Sequence, residues 1–210
     1  MPADNLAPVP REPVLLVVSG PSGSGKDSLV DALRAAEPKL AYSVSATTRP
    51  PRPGEVDGQH YRFLDRAQFE RLRDAGEFIE TREYAGNLYG TPRKPIEEAL
   101  AAGRDVVMKP EVNGAMAIKR IYPQALLVFL TVPSADVLRE RLHNRRTETP
   151  QTIEERVAIA AREADAIGNY EYLIVNDDFE AALEKLRAVL IAERLKISRV
   201  RGRSAGDGTS

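Results

Sequence analysis

The stretch Gly20-Pro21-Ser22-Gly23-Ser24-Gly25-Lys26 constrains this chain more than any other. It follows an unbroken apolar run, Val14-Leu15-Leu16-Val17-Val18, and precedes a pattern in which Leu29, Leu33 and Ala36 keep helical spacing. Apolar residues in succession, without alternation, read as a strand buried on both faces. A strand, then G-x-x-x-x-G-K, then a helix is the arrangement of a phosphate-binding P-loop. Three glycines let the backbone curl until successive N–H groups point inward at an anion, and the following helix aims its positive end at the same point. Lys26 is then the side chain that reaches the outer phosphates of a nucleotide.

The next position departs from the pattern. Ser or Thr normally follows the lysine and ligates Mg²⁺; here Asp27 follows, with Ser28 one place later. Two readings stand. Either Asp27 ligates the metal, directly or through water, while also repelling phosphate, or Ser28 supplies the hydroxyl after a small shift.

Further along, Asp105 to Met108, Leu126 to Leu130 and Tyr172 to Val175 repeat the buried-strand texture. Helical spacings lie between and after them, at Leu138 and Leu142 and at Leu183, Leu186 and Leu190. Buried strands separated by helices give an α/β class with a parallel sheet covered on both faces. Two stretches break the alternation. Residues 43–82 are rich in Pro and Gly and carry polar-alternating segments such as His60-Tyr61-Arg62-Phe63, an antiparallel and exposed texture. Residues 141–162 are strongly charged, with Leu142, Ile153, Val157 and Ile159 as their sizeable apolar residues. Each reads as a subdomain or lid attached to the core.

Composition narrows the function classes. With 30 Lys and Arg against 31 Asp and Glu, the net charge of -1 argues against a generic nucleic-acid-coating protein. The absence of cysteine removes disulfides, thiolate zinc sites and thiol nucleophiles, and two histidines, His60 and His143, leave little for a histidine metal cluster. No apolar run reaches the ~20 residues of a membrane span. Met1 to Pro10 carries Asp4 and no apolar stretch, so it does not read as a secretory signal, and a cytoplasmic setting is expected. Residues 1–12 and 199–210 read as flexible tails, and the basic stretch Lys196 to Arg203 as solvated.

The most specific segment runs from Ser43 through Ser45, Thr47-Thr48-Arg49-Pro50-Pro51-Arg52-Pro53-Gly54-Glu55 to Tyr61-Arg62-Phe63. Arg49 and Arg52 flank a stiff Pro-Pro pair, placed to clamp a phosphate with planar guanidinium groups. Here the chain closely resembles the guanylate kinases, P-loop enzymes that phosphorylate GMP with ATP. The resemblance spans Val14 to Ala192. It rests on Gly20 to Lys26, Ser45 to Glu55, Tyr61, Glu77 to Glu80, Gly86 to Thr91, Arg141 to Glu148 with Arg156, and Val175-Asn176-Asp177.

The resemblance implies a P-loop kinase fold: a core of residues 13–42, 96–140 and 168–198, a GMP-binding insertion of mixed or antiparallel strands at 43–95, and a helical lid at 141–167. It implies ATP contacts along Gly20, Pro21, Ser22, Gly23, Ser24, Gly25, Lys26, Asp27 and Ser28, with Asn176, and Mg²⁺ arriving with ATP. GMP-phosphate ligands fall on Ser45, Arg49, Arg52, Tyr61 and Tyr89, guanine readers on Glu80 and Thr91, and Glu111 near the GMP and the metal. Lys26, Arg49, Arg145 and Arg156 fall on the catalytic positions, the last two in the lid. The implied partners are ATP with GMP or dGMP, with neither nucleic acid nor membrane.

A second departure follows Gly103. Where the family has two acids one residue apart and then a Gln, this chain has Lys109-Pro110-Glu111-Val112-Asn113. Asp27 and Lys109 thus exchange charge against the usual pattern, and the two are expected to lie close enough to interact. Rival readings are a related P-loop kinase acting on a phosphorylated ribose, a non-catalytic binding module of the same family, and a regulatory GTPase. Glu80 with Thr91 opposes the first, Lys26, Arg145 and Arg156 oppose the second, and the lack of Asn-Lys-x-Asp opposes the third.

Overall fold

The two apolar textures of the sequence become two sheets. In the computed structural model, which describes residues 10–52, 54–84, 86–144 and 149–200, the continuous runs form a five-stranded sheet. Its strands are β1 (Leu15–Ser19), β2 (Ala41–Tyr42), β7 (Val106–Met108), β8 (Leu126–Thr131) and β9 (Tyr172–Val175), in the order β2-β7-β1-β8-β9, every neighbouring pair parallel. Residues of β1 alternate between two apolar layers. Leu16 and Val18 face Leu29, Leu33, Leu186 and Leu190, whereas Leu15 and Val17 face Ile96, Ala115 and Ile118. Helices α1 (Lys26–Ala36) and α7 (Phe179–Arg194) cover the first face; α3 (Lys94–Ala101) and α4 (Val112–Ile121) cover the second. Each fully buried Leu or Val contributes about 1.5–3 kcal/mol, so this doubly covered strand anchors everything attached to its C-terminal end.

The alternating segments form a four-stranded mixed sheet ordered β4-β3-β6-β5, from β3 (Ala46–Thr47), β4 (Arg62–Phe63), β5 (Phe78–Tyr84) and β6 (Asn87–Pro92). β3 runs parallel to β4, and the other pairs are antiparallel. Its small core is Ala46, Phe69, Phe78 and Leu88, with Phe69 from α2 (Arg66–Asp74) stacked on Phe78 at 4.6 Å between ring centroids. Asp65 starts α2 with a capping box, accepting from the Gln68 N–H while the Gln68 side chain accepts from the Asp65 N–H.

The charged stretch forms α5 (Ala135–His143) and α6 (Pro150–Ala164), packed on each other through Leu138, Leu142 and Ile153. Ser134 and Thr149 cap these helices by accepting from Val137 and Thr152 N–H groups. Ile159 is exposed rather than packed. No described helix is long and apolar enough to cross a membrane.

The domain edges reach beyond the boundaries expected from sequence. Arg11 makes two 2.7 Å hydrogen bonds to the carboxylate of Asp105, which also accepts from the Val14 N–H and from Arg194. Arg199 is buried against Glu193 and pairs with its carboxylate. Both arginines fall in segments read as tails. The Arg11 guanidinium finds a carboxylate 94 residues away, and that of Arg199 one a turn and a half back along the chain, and composition alone reveals neither.

Candidate active site

A loop that must lie close to its neighbours needs glycine, and the P-loop shows this at two positions. Gly20 has φ 137°, and a Cβ there would stand 2.0 Å from the Leu130 carbonyl oxygen. Gly25 has φ 95° and caps α1; its Cβ would meet the Asn176 amide nitrogen at 2.4 Å. The loop sits at the C-terminal end of β1, between β7 and β8, where the chain switches sides of the sheet and open α/β sheets hold their ligands. Lys26 donates to the carbonyls of Gly20 (2.5 Å) and Pro21 (2.9 Å), which folds its ammonium back over the loop. Asn176, expected among the ATP contacts, is buried beneath the loop. Its amide donates to the Ser24 carbonyl (2.8 Å), and its own carbonyl accepts from Arg141 (2.8 Å). It is a brace for the cradle.

Facing the P-loop across a cleft of about 490 Å³ stand Arg49, Arg52, Tyr61, Arg82, Tyr89 and Glu111, with Arg156 from α6. Arg49 is held by a bidentate pair with Glu55, both contacts 2.8 Å, and lies 5.5 Å from the Tyr61 ring centroid. The Arg49 hydrogen bonds outweigh burial and draw the Glu55 carboxyl down to about 2. Burial raises the Tyr61 phenol, which keeps it protonated as a donor. Ser45 sits just before β3, its carbonyl accepting from the Arg62 N–H at 2.9 Å.

The pair expected to read guanine is set by strand register. Glu80 on β5 lies directly opposite Thr91 on β6, and the Thr91 hydroxyl donates to the Glu80 carboxylate at 2.7 Å. Glu80 is backed by Gly114 of α4, where a Cβ would come within 3.3 Å of its carboxyl carbon. Burial raises the Glu80 pKa; Thr91 and Arg82 pull against that rise without cancelling it. Arg82 is the next residue on the same strand face. It stands opposite Tyr89, its guanidinium 5.0 Å from that ring, and pairs with Glu111 at the start of α4.

Asp27 and Lys109 meet as the exchanged charges suggested: the Lys109 ammonium is 2.6 Å from the Asp27 carboxylate, and both line the cleft. Ser28 lies exposed one position on, outside the cleft wall. The described residues contain no group of three or more His, Asp or Glu placed to hold a metal. The carboxylates lining the cleft are Asp27 and Glu111, each already paired with a cation, Lys109 and Arg82.

On α6, expected to form a lid, Arg156 donates to the Ser22 hydroxyl at 2.8 Å and lines a small cavity of about 80 Å³ with Glu111, Ile159 and Glu163. Arg145, expected beside it, lies outside the described residues. Arg82 and Glu163 were missed by the sequence reading. Arg82 is two residues past Glu80 on one strand, and Glu163 two helical turns past Arg156, so period alone places each beside a residue already singled out.

The family model for guanylate kinase matches residues 12–193. A guanylate kinase of Carboxydothermus hydrogenoformans is 47% identical over 195 residues, covering 93% of this chain and 96% of that one. That of Desulfitobacterium hafniense is 43% identical, covering 89% and 93%. The crystal structure of guanylate kinase from Anaplasma phagocytophilum superposes with a TM-score of 0.76 at 32% identity, covering 91% and 92%. The core sheet, the opposed Glu80 and Thr91, and similarity over nearly the whole length converge on one assignment: the chain belongs to the guanylate kinase family.

Proposed function

We propose that this protein transfers the γ-phosphoryl group of ATP to the phosphate of GMP, or of dGMP, yielding ADP and the corresponding diphosphate in the cytoplasm. The observation that carries the reading is the Glu80–Thr91 pair at 2.7 Å, placed in the insertion that faces the P-loop. Guanine presents N1–H and N2–H₂ donors with the O6 acceptor beside them. An ionised Glu80 accepts from both donors, and the Thr91 hydroxyl turns from Glu80 to donate to O6. Adenine lacks the N1–H and carries a donor at C6, so it leaves a buried carboxylate unpaired. A site built on such hydrogen bonds rejects the wrong partner by about 10⁴-fold or more.

ATP and GMP together bring about six negative charges into the cleft, and two unit charges 4 Å apart cost about 4 kcal/mol at an effective dielectric of 20. Lys26, Arg49, Arg52 and Arg156 line that space and supply the opposing charge. Arg49 and Arg52, with Ser45, Tyr61 and Tyr89, hold the GMP phosphate in line with the γ-phosphorus. Lys26 moves from the loop carbonyls to the outer phosphates. Arg156, with Arg145, stabilises the equatorial oxygens as the lid closes and excludes water. Asp27 would hold Mg²⁺ arriving with ATP, and the ion would supply positive charge to the phosphates. Little proton chemistry is needed, because the transfer runs on positioning and electrostatics.

The test is ADP formation from Mg·ATP with GMP, dGMP, AMP, UMP or ribose 1,5-bisphosphate as acceptor, against a blank without acceptor. Turnover with GMP and dGMP and at least about 10³-fold less with AMP is expected. Turnover with the bisphosphate instead overturns the guanine assignment. No turnover from folded protein that still binds GMP makes the chain a binding module.

A further inference from the structure

Asp27 occupies the first turn of α1, next to the lysine of the P-loop, and its carboxylate is largely exposed to the cleft. A negative charge there favours the helix dipole and opposes a triphosphate. Lys109 reaches it from the opposite wall, at the end of β7. Its side chain is only 17% exposed, its ammonium is 2.6 Å from Asp27, and it stands 5.6 Å from the Tyr42 ring centroid. The same side chain forms the wall between the nucleotide cleft and a neighbouring cavity of about 460 Å³ lined by Asp31, Arg34, Gln59 and His60. A charged lysine so enclosed, with a carboxylate from the P-loop helix as its contact, is placed to govern the electrostatics of that helix.

We propose that Asp27 and Lys109 act as one neutral unit, in which Lys109 is a positioning residue that cancels the repulsion of Asp27 toward ATP. The proposal rests on the reading of the cleft as an ATP site. It has a sign that a merely structural contact lacks. Removing Lys109 alone takes away the cation facing Asp27 beside the phosphates; removing Asp27 alone leaves the lysine's positive charge; removing both leaves neither. ATP affinity therefore falls on the first change, holds or rises on the second, and recovers in the double variant.

The experiment is titration calorimetry of ATP, in EDTA to keep metal out, on the full chain and on Lys109→Met, Asp27→Ser, Asp27→Ser/Lys109→Met and Lys109→Arg. GMP affinity and thermal melting are measured alongside. Lys109→Met is expected to weaken ATP binding at least tenfold while GMP binding stays within threefold. Asp27→Ser binds ATP at least as tightly as the parent, and Lys109→Arg stays within threefold of it. The double variant regains at least fivefold over Lys109→Met. A double variant no better than Lys109→Met overturns the proposal. So does a Lys109→Met variant within threefold of the parent, or one that loses ATP and GMP affinity together. Should Lys109→Met not fold, the comparison of Asp27→Ser with the parent decides: weaker ATP binding overturns the proposal, and equal or tighter binding upholds it. If the parent itself binds no ATP, the assignment of the cleft fails instead.

Discussion

On the proposed reading, Glu80 carries both selectivity and a pH dependence. Its carboxylate is buried between β5, β6 and α4, which raises its pKa above the ordinary 4.5, with Thr91 and Arg82 opposing the rise. Only the ionised form can accept from both guanine donors at once. GMP affinity therefore falls with acidification through a pKa higher than that of an exposed carboxylate, whereas ATP affinity has no such limb from this group. The pH profile of kcat/KM for GMP should bend at that raised value, and Glu80→Gln should flatten the bend and lower kcat/KM by about 10² or more. A profile that holds level down to pH 4.5 would contradict this. The sign for stability is opposite. A carboxyl whose pKa is raised on folding costs stability while ionised and is relieved as pH falls through the folded value, so Glu80→Gln should melt no lower than the parent. The neighbouring Arg82 belongs to the same account, since its guanidinium is one of the groups that hold Glu80 ionised.

The loop between β3 and β4 draws its shape from the Arg49–Glu55 pair, with the Arg52 N–H also donating to Glu55 at 2.7 Å. Because Glu55 is lowered to about 2, its contribution is present above the ordinary value of 4.5 and is lost as pH falls from there toward 2. Glu55→Gln should raise KM for GMP about tenfold, equivalent to ~1.4 kcal/mol, by loosening the phosphate clamp. KM for ATP should stay within about threefold, while the melting temperature should fall by about 2–4 °C for each kcal/mol of the lost contribution. Steady-state kinetics and a melting curve check all three. At this scale the sequence was informative where patterns are local. The unbroken apolar runs marked the parallel strands, and Gly20 to Lys26 marked the cradle, because both are short-range consequences of burial and backbone freedom. The pairing of Arg82 with Glu111, 29 residues away, and the bracing of Ser24 by Asn176, 152 away, come from topology and leave no local trace.

Across the whole molecule, the two ends of the domain are tied together at the N-terminal edge of the core sheet, opposite the cleft. Asp105 is the hub: burial alone would raise its pKa, but hydrogen bonds from Arg11, the Val14 N–H and Arg194 bring it below the ordinary value, and Arg194 continues to Glu37 at 2.8 Å. Breaking a buried pair by removing one partner costs about 3–5 kcal/mol. Asp105→Ala should therefore lower the melting temperature by about 10 °C, with KM for either substrate unchanged within about twofold. Loss of substrate affinity without loss of stability would show the hub to be coupled to the cleft. The P-loop has the opposite character. Gly20 is pressed against the Leu130 carbonyl and Gly25 against Asn176, so the cradle is wedged from both sides. A wedged loop makes a poor messenger: its shape is the same whatever arrives, and word that a nucleotide is present must travel through the parts around it.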